Sequence, residues 1–309
     1  MKTILSFIFI AILSGNIYAQ KSALLKYNLE PGKTYKAKAV SVQDQKTTMQ
    51  GMERNTEISN TIYFSMKSLS AKDDFFMAEV HFDTIVNSTS MPQMVINSAK
   101  PGNIKSQDPV EVMQCILNRY SNTALVVQMD YTGHVKEILN YNVITENVLS
   151  GLDSLTGQAM MAKAQIELMM NKDAIKGMIE SITATLPNQE VKKNDIWESK
   201  VVNAAGGIGM EIISTNKIND IADNKASITA DIIVEPAVSD KPMVMNGAEI
   251  STEIRGLGKG ESEIDITTGW VISSSSTTQL KGNMNVKMPG QEMQIPMEIK
   301  ISTETIALD

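Results

Sequence analysis

Apolar and polar residues alternate one-for-one over many separate stretches of this chain, and that pattern constrains its fold more than any other feature. Thr61-Ile62-Tyr63-Phe64-Ser65-Met66-Lys67 and Phe76-Met77-Ala78-Glu79-Val80-His81-Phe82 read as half-buried strands, with Ala71-Lys72-Asp73-Asp74 as a polar turn between them. Ala124 to Met129 and His134 to Leu139 form a second hairpin around Asp130-Tyr131-Thr132-Gly133, whose glycine can take a positive φ. After Leu186-Pro187 the same period returns. Met210 to Ile218 and Ala226 to Glu235 flank Ala222-Asp223-Asn224-Lys225. Glu261 to Ile266 and Trp270 to Leu280 flank Thr267-Thr268-Gly269. Val286, Met288 and Met293 to Ile301 form a last hairpin around Pro289-Gly290-Gln291.

The middle of the chain follows a helical period instead. Asp108-Pro109 starts a short helix running to about Asn118. Thr156 is placed to cap Gly157 to Met170, and Asn171 to cap Asp173 to Thr183. In the latter, Ile175, Met178, Ile179 and Ile182 fall on one face. The fold class expected is α+β, mainly β. Two similar antiparallel β modules, built as curved sheets or half-barrels, are joined by a central helical segment. The segments are 1–19, a signal peptide; 20–141, the first β module; 142–185, the helical connector; and 186–309, the second β module.

The two modules repeat in order as well as content. Met66-Lys67-Ser68-Leu69 and its Asp-Asp turn align with Asn216-Lys217-Ile218-Asn219 and its Asp-Asn turn. Asp130 and Gly133 align with Asp265 and Gly269, the second turn being one residue longer. Gly32-Lys33-Thr34-Tyr35 opens the first module and Lys193-Asn194-Asp195-Ile196-Trp197 the second, so a tandem duplication is read here. Leu29-Glu30-Pro31-Gly32-Lys33-Thr34-Tyr35, the Asp-x-Thr-Gly hairpin and Leu186-Pro187 through Trp197 resemble a domain-of-unknown-function family of secreted Bacteroidetes-type envelope proteins. The resemblance implies an envelope location and no established activity. The glycine usual before the acidic residue of the second opening is Asn194 here, and asparagine also tolerates a left-handed turn.

Residues 1–19 have the parts of a secretory leader. Lys2 is the positive start, Ile4 to Leu13 the apolar stretch, and Ala19 the small residue before cleavage at Gln20. That stretch is shorter than the ~20 residues a spanning helix needs, and no later one approaches it. The product is therefore expected to be secreted or periplasmic, not membrane-spanning and, with no cysteine at the cleavage point, not lipid-anchored. Roughly 290 mature residues can bury a large core. The formal charge of −7 argues against a nucleic-acid partner, which requires a basic face. Cys115 is the single cysteine, so packing alone must hold the fold, and its apolar neighbours make it a small buried hydrophobe.

No catalytic, cofactor or metal constellation stands out. His81 and His134 are the only histidines, and no ligand spacing joins them to Cys115. Asp130 and Asp265 recur at matching turns, but neither directly precedes Thr-Gly as an aspartic-protease pair would. Turn aspartates that accept backbone N–H groups are the plainer reading. Gly256-Leu257-Gly258-Lys259-Gly260 leads into an acidic strand rather than a helix, so it is read as glycines that let a strand bend, and Gly206-Gly207 likewise. Ser273 to Ser276 lack a nucleophile elbow. Asp83-Thr84-Ile85 and Asp153-Ser154-Leu155 match the form of an O-glycosylation acceptor triplet.

Methionine is the compositional oddity, with 21 residues against 6 phenylalanines and 2 tryptophans. Three readings stand in order: filler for an uneven core, a pliable apolar groove, and thioether ligation of Cu(I). Met160, Met161, Met169 and Met178 are the candidate groove lining. The function expected is non-catalytic binding of a lipid or other apolar or amphipathic small molecule. The alternative is a structural or interaction module with an envelope protein as partner.

Overall fold

The structure is a computed structural model that describes residues 21–49, 51–91, 93–183, 186–203, 209–237, 243–245, 248–288 and 290–309. The leader and its cleavage residues, Ala19 and Gln20, lie outside the described residues, as do Gly206 and Gly207.

In chain order the first strands are β1 (Ser22–Leu25), β2 (Thr34–Met49), β3 (Met52–Ala71), β4 (Phe76–Ser90) and β5 (Gln93–Asn97). Helix α1 (Pro109–Ser121) precedes β6 (Leu125–Met129) and β7 (Val135–Ile138). Helices α2 (Tyr141–Val148), α3 (Met160–Met169) and α4 (Lys172–Ile182) follow. The remaining strands are β8 (Gln189–Lys192), β9 (Ile196–Asn203), β10 (Met210–Ala222), β11 (Lys225–Pro236), β12 (Met243–Met245), β13 (Ala248–Thr252), β14 (Arg255–Asp265), β15 (Val271–Met288) and β16 (Gln291–Leu308).

The protein is mainly β, and its sheets are antiparallel. β1 pairs with β8 in a small ribbon. All the other strands belong to one large sheet with the spatial order β7-β6-β4-β3-β2-β16-β15-β14-β11-β10-β9. β5 lies beside β4, and β13 joins β15 to β12. Pairing of β2 with β16, from Met297↔Thr47 to Leu308↔Lys36, makes the strands before and after the helices continuous. The edges β7 and β9 do not pair with each other, so the sheet is open. Helix α4 packs against both edges.

Local chemistry explains the helix limits. The Asp108 carboxylate accepts from Val110 N at 2.9 Å with Pro109 beginning α1, which runs to Ser121, three residues past the expected end. Asn171 Oδ1 accepts from Ala174 N at 2.7 Å and starts α4. Ile175 and Ile179 of α4 are buried and Met178 and Ile182 pack half-buried on the core. Thr156 caps nothing with its side chain. A short 3₁₀ turn, Gly157–Ala159, precedes α3 instead.

Two distant stretches of the sheet make the same local bonds. Gly32, at φ +80, donates its N–H to Ser68 O at 2.8 Å, and Asn194, at φ +72, donates to Ile218 O at 2.8 Å. The next step matches too: Lys33 N to Glu30 O at 3.1 Å and Asp195 N to Lys192 O at 3.0 Å. Each long hairpin then slips register at the same point, after Ser68 in β3 and after Ile218 in β10.

Burial divides along the strands. The main core lies where the helices sit. Phe64, Phe82, Trp270 and Tyr35 pack there, with the rings of Phe64 and Trp270 stacked at 6.2 Å and those of Tyr35 and Trp270 tilted by 46° at 5.5 Å. Tyr27 and Leu25 fill the same end. At roughly 3.3 Å per residue, the 20 residues of β3 extend ~66 Å, whereas the 13 residues of α1 extend ~20 Å. The helical layer therefore covers only part of the sheet. A second cluster lies toward the hairpin tips and draws on strands and their connections alone, around Val234, Ile254, Leu280, Ile295, Met297 and Ile299.

Candidate functional site

The candidate site is the inner face of the sheet beyond the helices, and strand register builds it. On a strand, alternate side chains share one face. In β16 the inner set is Met293, Ile295, Met297, Ile299, Ile301, Thr303 and Thr305, while Glu292, Glu298, Lys300 and Glu304 point outward. Cα pairing carries this face across neighbours: Ile295↔Met284, Ile299↔Leu280 and Thr303↔Ser276 to β15, and Thr303↔Ser41 and Met297↔Thr47 to β2. It continues through Ser41↔Asn60 and Asn60↔Asn87 on one side. On the other side it runs through Leu280↔Gly256, Gly256↔Val234 and Val234↔Ile212.

No acidic or basic side chain occupies this face in β2, β4, β9, β10, β11, β14, β15 or β16. In β3, Arg54 beside the tip is the exception. The charges of these strands point the other way, as in the outer pairs Lys281–Glu298 at 3.0 Å and Lys200–Glu211 at 2.5 Å.

The inner face has three zones. At the helix end it is core. In the middle lies a belt of hydroxyls and amides: Ser41, Asn60, Asn87, Ser276, Thr278 and Thr303. Asn87 Nδ2 donates to Asn60 Oδ1 at 2.7 Å, and Thr303 Oγ1 to Ser41 Oγ at 3.3 Å. Toward the tips the face turns apolar again in β10, β11, β15 and β16, whereas β2 and β3 keep Gln43, Gln45, Thr47, Thr56 and Arg54 on it. Met49, Met210, Met284 and Met293 are half-buried against the second cluster. Met52, Met91 and Met288 stand exposed at three hairpin tips at this end.

Glycines occupy this face in β14. Gly256, Gly258 and Gly260 supply the inner positions of β14. A Cβ on Gly258 would sit 2.5 Å from Thr278 Oγ1, and one on Gly260 would sit 3.6 Å from Ile232 Cδ1. Side chains of β11 and β15 thus approach a strand that has none at these inner positions.

The candidate residues read from the sequence lie elsewhere. Met160 is exposed on α3, and Met169 and Met178 pack half-buried against the helix-end core. The Met161 side chain lies outside what is described. The methionines that share a half-buried surface are on strands, at positions whose alternation was visible but whose common face depends on register.

Asp130 and Asp265 act on their own turns. Asp130 Oδ1 accepts from Thr132 N and His134 N, each at 3.0 Å, and from Thr132 Oγ1 at 2.5 Å. Asp265 Oδ1 accepts from Thr267 N at 2.9 Å, Thr268 N at 2.8 Å and Thr268 Oγ1 at 3.0 Å. Burial pushes the Asp130 carboxyl up, but hydrogen bonds from Thr132, Lys136 and the His134 amide outweigh it and leave the carboxyl below its usual range. Gly133 and Gly269 complete the turns at φ +98 and +71. Between the two turns runs the segment after β1: Tyr27 N donates to Tyr131 O at 3.0 Å and Asn28 N to Thr268 O at 2.8 Å.

His81 contacts Glu79 on the outer face, His134 contacts Glu180 of α4, and Cys115 is buried in α1. Among the described residues, no three His, Cys, Asp or Glu residues gather as for a metal ion, and no helix is long and apolar enough to cross a membrane. Two open concavities, of about 440 and 350 Å³, have mixed polar and apolar linings. One is lined by Arg119, Asn122 and Glu146, the other by serines and glutamates on the outer face of β14–β16. Thr84 of the first glycosylation triplet bonds the Asp83 carbonyl, and Ser154 of the second is exposed.

Residues 73–271, more than half of the chain, match a family of unknown function, DUF6263. The chain belongs to that family. No curated protein matches this DUF6263 member. Among solved structures, one described as showing lipid–protein interactions in lipovitellin is similar at 11% identity and a TM-score of 0.44, over 91% of this chain. The chain spans 26% of that structure's length. An outer membrane channel from Pseudomonas putida F1 aligns at 5% identity and a TM-score of 0.24, over 91% of this chain and 97% of the channel.

Proposed function

We propose that this protein is a non-catalytic binder of an apolar or amphipathic small molecule, exported to the bacterial envelope, and that the hairpin-end inner face is its site. One observation supports this above the others: a face free of acidic and basic groups apart from Arg54, with half-buried methionines that no helix covers. Water gains little from contact with such a face, and unbranched thioether side chains adapt to a ligand of irregular shape. The leader-like residues 1–19 support the address. The recurring hydrogen bonds at Gly32 and Asn194 support an origin of the two β modules by duplication.

Native mass spectrometry of protein purified from its own envelope tests the reading. A co-purified lipid-like mass that disappears in Met284→Asp, a variant that puts a charge on the apolar zone, is the expected result. A bare polypeptide mass, together with no uptake of lipid from vesicles, would end it. A second reading, a docking module for an envelope protein, is supported by the exposed outer-face pair Ile233 and Leu257, which are register partners. Crosslinking in intact cells that captures one stable neighbour at this pair would favour it.

A further inference from the structure

We propose that the ligand is a long-chain amphiphile with an uncharged, hydroxyl-bearing head, and that it is held head-inward, with its head at the polar belt and its tail toward the hairpin tips. This inference rests on the preceding reading of the site and specifies its occupant. Zoning gives the direction. The helix end of the inner face is filled by packed aromatic side chains, including Phe64, Phe82 and Trp270, and has no room for a chain. The belt lies immediately beyond that core, and beyond the belt lies the apolar zone of β10, β11, β15 and β16, with the half-buried Met210, Met284 and Met293 around its buried centre. An amphiphile can match both zones only with its head deepest.

The belt also selects the head. Its groups are hydroxyls and carboxamides, which donate and accept hydrogen bonds but carry no charge. No lysine or arginine faces the belt to neutralise a carboxylate or phosphate, and no acid faces it to pair with an amine. An ionised head placed there would lose its water without gaining a counter-charge, whereas a glycerol-like head would exchange water for hydroxyl partners. At the open end, exposed Met52, Met91 and Met288 give the tail an apolar rim.

Equilibrium dialysis of the full mature chain with two probes sharing one tail, mono-oleoylglycerol and oleate, tests this at pH 8 and below micelle formation. The expected result is mono-oleoylglycerol bound at least about tenfold more tightly than oleate. The double variant Thr278→Val/Thr303→Val, which exchanges hydroxyls for methyls of similar size, should abolish that preference while circular dichroism stays unchanged. Oleate binding as tightly as mono-oleoylglycerol would overturn the inference and leave the apolar-ligand reading standing. Preference unchanged in the folded double variant would overturn the head-inward placement. Binding of neither probe by the wild-type chain would overturn both.

Discussion

One face of one sheet is finished differently at its two ends. At the helix end, Phe64, Met66, Val80 and Ile218 are fully buried in a core shared with Tyr27 and with residues of α1 and α4. At the hairpin end Val234, Leu280, Ile295 and Met297 are buried too, but in a smaller cluster to which no helix contributes, and Met49, Met210, Met284 and Met293 around it stay half-buried. Both ends obey the same alternation, so composition does not separate them. Coverage does: helices join the core at one end, while at the other the methionines around the smaller cluster keep part of their surface in solvent.

The largest expected effect is also the most direct way to break this contrast. Phe64→Ala should cost about 3–5 kcal/mol in denaturant unfolding, because it opens a cavity among Phe82 and Trp270 that rigid rings cannot fill. Met293→Ala should cost only about 1 kcal/mol, since its site is already partly solvated. Equal costs would show that the hairpin end is a sealed core like the other.

Next comes the glycine row of β14. Gly258→Val should cost about 1–3 kcal/mol, because its side chain must displace Thr278 and the Thr277 carbonyl. The damage should be local: hydrogen exchange should accelerate in β14 and β15 toward the tips, with α1 and α4 remaining protected. Uniform acceleration would mean that the two ends unfold as one unit.

Sequence alone carried the predominance of antiparallel β-strands, several hairpin turns and both good helix caps, but not β2, whose 16 residues link the two halves of the sheet, nor the full length of β3. Asp108 and Asn171 announce their helices because capping is local chemistry. The turn glycines Gly133 and Gly269, and Asn194 in a glycine's place, were likewise legible from backbone demands at single positions. The site was not. Met284, Met293 and Met49 are far apart in sequence and share a face only because β15, β16 and β2 pair in one register, a non-local fact. The sequence reading placed the groove on Met160, Met161, Met169 and Met178 of the helical segment, yet Met169 and Met178 pack at the covered end. The uncharged inner face was visible as alternation in each strand. Its division into core, belt and open apolar zone required knowing where the helices stop.

The smallest effect sharpens what fixes the helices to the covered end. Glu180 of α4, only 5% exposed, accepts from Val135 N at 2.8 Å, lies 3.5 Å from His134 Nδ1 and 3.9 Å from Lys176 Nζ, and so ties the β6–β7 turn to α4. Its hydrogen bond raises the His134 pKa above the ordinary value, against an opposing effect of burial. A raised folded-state pKa means that the folded protein holds this proton more tightly than the unfolded chain does. The resulting stabilisation is complete below about pH 6.5, the unfolded value, and is lost as pH rises through the folded value. Thermal melts of wild type should therefore fall slightly across that window, and those of His134→Gln should stay flat over it. The loss should appear as faster exchange at α4 and β7, while exchange at the hairpin tips stays constant. If the tips respond as strongly as α4, the two ends are coupled through the sheet, and ligand binding at one should then be felt as helix protection at the other.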